Sequence, residues 1–166
     1  MDQYNAAMLL LRVAFGLTMA AHGYAKVFKG GKLDGTASWF DSIGMKPGAV
    51  HARLAAGTEI LAGVGLAVGL LTTFSAMGFV GGMLVAGYTV HRAEGFFIVS
   101  GGWEYTFILA VAAIGIAMLG PGEWSLDNAI GIDRDLDGWT GLVLAAGGGI
   151  AAGIAQLAIF YRPPAS

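Results

Sequence analysis

The chain has 166 residues, of which 56% are apolar and 12% charged, with 28 glycines, no cysteine and a formal net charge of −2. A soluble domain carries about 25% charged residues, so an ordinary water-exposed globule is excluded; the missing cysteine excludes disulfides, thiol catalysis and Fe–S ligation by this chain. No basic patch with interleaved aromatics points to nucleic acid.

The apolar runs are continuous, not alternating, which favours membrane helices over a β-barrel. Frequent Gly and Ala suit close helix packing inside a bilayer. The expected fold is all-α, a polytopic membrane helical bundle embedded in lipid. Five spans are expected, over residues 6–28, 53–71, 74–90, 103–119 and 140–160. The leading MDQYN lacks the positive region of a signal peptide, so the first run reads as a retained helix.

That first run carries Arg12, His22 and Lys26. His22 and Lys26 are four apart and share a face, with Arg12 near the same stripe. An intramembrane charge is costly, so the stripe is expected to point into the bundle. Residues 29–52 form a long loop, with a short amphipathic helix expected from a cap near Thr36 to about Gly44, and Trp39 and Phe40 at headgroup level. The second span holds Glu59. A tight turn near Leu71–Phe74 makes the second and third spans antiparallel neighbours. His91 ends the third span and Glu104 begins the fourth. Residues 120–139 form a Gly- and Asp-rich loop expected to face outward. GxxxG spacings at Gly65/Gly69, Gly78/Gly82 and Gly149/Gly153 read as close packing within the bundle, with a homo-oligomer as the other use.

Lys and Arg gather on the 29–52 side: Lys26, Lys29, Lys32, Lys46, Arg53, then Arg92 and Arg162. That side is expected to be cytoplasmic, with the N-terminus outside and the C-terminus inside. By helix rise, Arg12 then lies in the outer half. His22, Lys26, Glu59, His91 and Glu104, from four helices, lie in the inner half.

Such a set suits proton-coupled chemistry. A quinone headgroup has two carbonyl oxygens, each wanting a donor and, on reduction, a proton. His22 or Lys26 is the candidate donor and Glu59 the relay. His22 and Glu59 are therefore the candidate catalytic residues, and Arg12, His22, Lys26, Glu59, His91 and Glu104 the candidate ligand-binding set. Each also has a plain reading: snorkelling for Lys26, snorkelling or pairing with backbone carbonyls for Arg12, interfacial placement for His91 and Glu104, a packing role for His22, a structural ion pair for Glu59. A metal on His22, His91, Glu59 and Glu104 lacks any local ligand spacing, and a haem between His22 and His91 rests only on their shared side; neither is expected. Asp133–Gly138 copies the first half of a calcium loop, but Leu144 stands where the last acidic ligand belongs, so a solvated turn is the better reading.

These residues carry a resemblance. His22-Gly23-Tyr24-Ala25-Lys26, Trp39-Phe40, Gly44-Met45-Lys46-Pro47 and Gly57-Thr58-Glu59 run in order with His91, Gly95-Phe96-Phe97, Gly102-Trp103-Glu104-Tyr105, Gly120-Pro121-Gly122 and Ser125-Leu126-Asp127. Over roughly residues 9–128 the chain resembles the DoxX family of small bacterial membrane proteins. The resemblance implies a four-helix membrane unit over residues 1–128 in the bacterial cytoplasmic membrane. Residues 129–166 add an acidic loop and a fifth span, an addition that suits docking of a partner. Relatives include the membrane subunit of a thiosulfate:quinone oxidoreductase and members of oxidative-stress and thiol-handling complexes. The resemblance thus implies a quinone-linked role among other protein subunits. Two other classes stay open from the residues: a non-catalytic scaffold subunit, and a small-solute or lipid carrier.

Overall fold

The computed structural model describes residues 2–163 and turns the apolar segments into helices. These are α1 (Asp2–Phe28), α2 (Lys32–Ser42), α3 (Gly48–Val68), α4 (Thr72–Glu94), α5 (Glu104–Leu119), α6 (Leu126–Ala129) and α7 (Gly138–Phe160). The end of α4 loosens to a π-helical turn over Gly87–His91 and a 3-10 turn over Arg92–Glu94, and α7 contains a π-helical turn over Val143–Gly148. The described residues form no strand; Met45 and Tyr161 make one isolated antiparallel pair. Among the described residues three helices are long and apolar enough to cross a membrane, α1, α4 and α7; α3, where the second of the five expected spans lies, is not one of them. The apolar α5, at 16 residues, is shorter.

Small residues decide how the helices meet. A Cβ on Gly16 would lie 2.5 Å from the Gly63 carbonyl oxygen, one on Gly23 2.8 Å from that of Ala56, and one on Gly63 2.6 Å from the Ala20 amide nitrogen. Gly16/Gly23 on α1 and Ala56/Gly63 on α3 are each seven apart, so the two backbones touch along two turns. Helix α3 lies between α1 and α4, and α4 contacts α3, α5 and α7. Gly149 and Gly153 seat α7 on α4, as their spacing predicts: their Cβ atoms would approach the carbonyls of Met77 and Gly81 at 2.8 and 3.2 Å. Gly65 and Gly69 serve the α3–α4 turn instead. Gly69 ends α3 in the left-handed conformation (φ 67°), its amide pointing back to the carbonyls of Gly65 and Leu66.

Three local expectations change. Helix α2 starts at Lys32, directly after Gly30-Gly31, and Thr36 is inside it, its hydroxyl donating to the Lys32 carbonyl at 2.8 Å. Trp39 and Phe40 also part company: Trp39 is 42% exposed, whereas Phe40 is 7% exposed in a cluster with Met45, Ala52 and Val85. Helix α3 begins at Gly48, five residues before the expected span, because Pro47 is extended and the Asp41 carboxylate accepts from the Gly48 amide at 2.8 Å.

The main core runs along α1, α3, α4 and α5 through Met8, Met19, Leu66, Phe79, Leu109 and Ile116. It separates two polar ends, one under α2 and one under α6.

Candidate functional site

At the α2 end, the Gly23–Ala56 contact brings the last turns of α1 beside the third turn of α3. Lys26 Nζ donates to both oxygens of Glu59, at 2.8 and 2.6 Å. The two side chains are 22% and 14% exposed. They form part of the wall of a cavity of about 140 Å³ enclosed by α1, α2, α3, α4 and α7. Its other polar wall groups are Thr58, Thr89 and Gln156, and Trp39 covers one side. The Thr89 hydroxyl is engaged by the Val85 carbonyl at 2.8 Å. An ammonium has three N–H donors; Glu59 takes two, which leaves one for a ligand. An open groove along His22, Lys26, Lys29 and Thr36 shares Lys26 and Trp39 with the cavity.

The other candidates divide. His22 is exposed on the groove, its ring 6.2 Å from that of Tyr105. His91 Nδ1 lies 2.6 Å from the Gly101 carbonyl oxygen, and Glu104 accepts from the Ile98 amide at 2.9 Å. Both therefore brace the 95–103 loop and neither lines the cavity.

Arg12 is at the opposite end of the bundle, fully buried. Its Nη2 donates to the Trp124 carbonyl at 2.5 Å, and its guanidinium fills the space that a side chain on Gly69 would take. A cation suits this position, where the carbonyls at the C-terminus of α3 point. Nearby, the buried Asp127 carboxylate accepts from the amides of Leu71 and Thr72 at 2.7 and 2.9 Å and from the Thr72 hydroxyl at 2.7 Å. It caps the start of α4 from 55 residues downstream. The acidic turn is joined to α6 by Asn128, which donates to Asp133 at 3.1 Å. No group of three or more His, Asp or Glu among the described residues is placed to hold a metal ion.

Two residues carried no signal in the sequence. His51 is fully buried in the first turn of α3, between the rings of Phe40 and Phe160. Its Nδ1 lies 3.1 Å from Nε2 of Gln156, the cavity residue on α7. A histidine in a loop-flanked helix start and a glutamine in an apolar helix read as incidental until the fold puts them together.

The family model for DoxX matches residues 7–92, just over half of the chain. The chain belongs to the DoxX family. No curated protein and no solved structure matches it. A DoxX chain with three helices of spanning length and apolarity is a membrane protein, its helices in contact with lipid. The matched DoxX stretch covers α1 to Arg92 of α4, and so includes Lys26, Glu59 and Trp39. Gln156 lies beyond it.

Proposed function

We propose that this DoxX protein is an integral membrane subunit of a quinone-linked redox complex, and that the cavity at the α2 end holds a quinone-like headgroup. The observation that carries the reading is the Lys26–Glu59 pair on the cavity wall. A charged pair is costly inside a membrane bundle, and this one retains a free donor facing an open space. The size fits: an apolar cavity of about 150 Å³ holds a benzene-sized ring, and this cavity is about 140 Å³. When bound, the quinone supplies the two-electron, two-proton chemistry. The chain's own residues do the rest. Lys26 donates to one carbonyl oxygen, Thr58 offers a hydroxyl, and Glu59 holds and passes a proton. His22, on the adjoining groove, is the second proton carrier. Thiol chemistry coupled to the site belongs to a partner subunit, since this chain has no cysteine.

In this reading five helices cross the bacterial cytoplasmic membrane: α1, α3, α4 and α5 as the four-helix unit of residues 1–128, and α7 within residues 129–166. The Lys/Arg excess puts the α2 end in the cytoplasm and the N-terminus outside. The scaffold reading has one specific support, that Glu59 is fully engaged by Lys26, as in a pair that only fixes α1 on α3. Glu59→Gln separates the two. It keeps shape and a bond to Lys26 but cannot titrate. The quinone reading expects turnover of the assembled complex to fall at least tenfold while assembly and bound quinone, read by mass spectrometry of a lipid extract, persist. A Gln variant that turns over normally transfers the weight to the scaffold.

A further inference from the structure

We propose that a second, open groove, between α4, α5 and α7, is a phospholipid site, with one acyl chain along its apolar walls and the phosphate on Arg92. The groove has a volume of about 430 Å³ and shares no lining residue with the Lys26–Glu59 cavity. On α4 its lining includes Val80, Leu84, Tyr88 and Arg92, successive positions four apart and so one stripe of the helix. Twelve residues of helix are about 18 Å long, and the hydrocarbon of one leaflet is half of roughly 30 Å. The groove is therefore about as long as one leaflet is deep, the reach of an acyl chain. Phe107, Val111 and Ile114 of α5 form the facing wall. The polar side chain between these apolar residues, Thr106, is already spent, its hydroxyl donating to the Trp103 carbonyl at 2.8 Å.

The mouth of the groove is built differently. The Arg92 guanidinium carbon lies 4.0 Å from the centre of the Tyr88 ring, and that ring is 5.6 Å from the ring of Tyr161. Trp103 stands just ahead of α5 on the other wall. Trp and Tyr gather at headgroup level. Stacking uses the face of the guanidinium and leaves its fork of N–H donors free. The other arginines are engaged: Arg12 by the Trp124 carbonyl, Arg53 by that of Ala49, Arg162 by those of Tyr161 and Ile159, and Arg134 beside Asp133. Among the described residues Arg92 has no carboxylate partner, and Glu104 is taken by the Ile98 amide. A planar fork of donors matches a phosphate bidentately, and a bilayer phospholipid brings that phosphate with a chain attached. The π-helical turn over Gly87–His91 carries Tyr88 at this mouth; such turns are frequent at functional sites.

The test uses the full chain, stripped of lipid in detergent, with dioleoylphosphatidylglycerol, dioleoylglycerol and glycerophosphate as probes and native mass spectrometry as the readout. The unaltered protein is expected to hold one phosphatidylglycerol at least roughly tenfold more tightly than dioleoylglycerol, the effect of charge-assisted bonds to the phosphate, and to hold no glycerophosphate. Arg92→Gln is expected to bring phosphatidylglycerol down to the level of dioleoylglycerol. Arg53→Gln, which removes a cation outside the groove, is expected to change neither. Val111 is 50% exposed on the groove wall, so Val111→Trp is expected to fill the groove and lose both lipids while the helical content stays the same by circular dichroism. Equal retention of the two lipids by the unaltered protein overturns the proposal, a comparison that needs no variant to fold. So does an Arg92→Gln or Val111→Trp protein that keeps the phospholipid, or glycerophosphate bound as tightly as the phospholipid. Displacement of the phospholipid by decylubiquinone gives the groove to a quinone, and a dimer that Val111→Trp dissociates gives it to a second copy of the chain; either result also overturns the proposal.

Discussion

The two ends of the α1–α3 pair use buried charge in opposite ways. At the α6 end, Arg12 bonds to the Trp124 carbonyl beside the C-terminus of α3, and Asp127 takes the first amides of α4. Helix ends leave backbone groups unpaired; Asp127 satisfies those at the start of α4, while Arg12 bonds a loop carbonyl and keeps Nε and Nη1 buried without a partner among the described residues. At the α2 end, Lys26 and Glu59 bond to each other and border an open cavity. The Asp127 carboxylate completes backbone hydrogen bonding and is architecture, whereas the Lys26–Glu59 pair borders a cavity rather than a helix end. Depth in the membrane does not distinguish the two cases; the partner does.

The comparison breaks most completely where both ends depend on one contact. In Gly63→Val the new Cβ lies 2.6 Å from the Gly16 carbonyl oxygen and the Ala20 amide, backbone atoms that cannot step aside. The expected loss exceeds about 4 kcal/mol, seen as failure to recover monodisperse protein in detergent. Gly57→Ala is the control on the same helix, since nothing lies within 4 Å of its Cβ; it is expected to leave the thermal midpoint unchanged or slightly higher.

Next in size is Asp127→Ala. It removes three hydrogen bonds and leaves the Leu71 and Thr72 amides unpaired, at an expected cost of about 3 kcal/mol in the denaturation midpoint. Because this end is architecture, ligand affinity at the α2 cavity is expected to stay the same in protein that survives. A shift in affinity without loss of stability breaks the division between the ends.

Lys26→Met is expected to cost about 2 kcal/mol, less than a sealed pair because both groups keep some exposure. The cost comes from stranding the Glu59 carboxylate. The double variant Lys26→Met with Glu59→Met is therefore expected to recover most of the stability while still binding no quinone. A double variant as unstable as the sum of the single ones makes the α2 end architecture too.

Much of this was legible in the chain. Continuous apolar runs gave the all-α class, and the four-residue spacing of His22 and Lys26 gave a polar face on α1. What could not be read is which groups meet. The α1–α3 approach depends on Gly16 and Gly23, seven apart rather than four, and on Gly63 across from them, a contact visible only once both helices are in place. By helix rise His91 and Glu104 are expected at the level of Glu59, yet the backbone of the 95–103 loop claims both. Asp127 sits in a polar loop with no local sign that it caps a helix far behind it in sequence. His51 and Gln156 are 105 residues apart and belong to no local pattern.

The smallest perturbation tests the direction of the comparison. Ser38, on α2, and Asp135, in the acidic turn, are both exposed. Cysteine at either site is expected to leave stability unchanged, and the chain has no other cysteine to confuse the label. The proposed topology, drawn from the Lys/Arg excess near α2, has that end in the cytoplasm. An impermeant thiol reagent on intact cells is therefore expected to label Asp135→Cys at once and Ser38→Cys only after permeabilisation. The opposite pattern places the Lys26–Glu59 cavity in the outer leaflet. On the proposed function, protons taken up through Glu59 and the His22 groove then come from outside the cell rather than from the cytoplasm. The geometry of the site survives that result, but a redox partner on the α2 face has to be sought on the other side of the membrane.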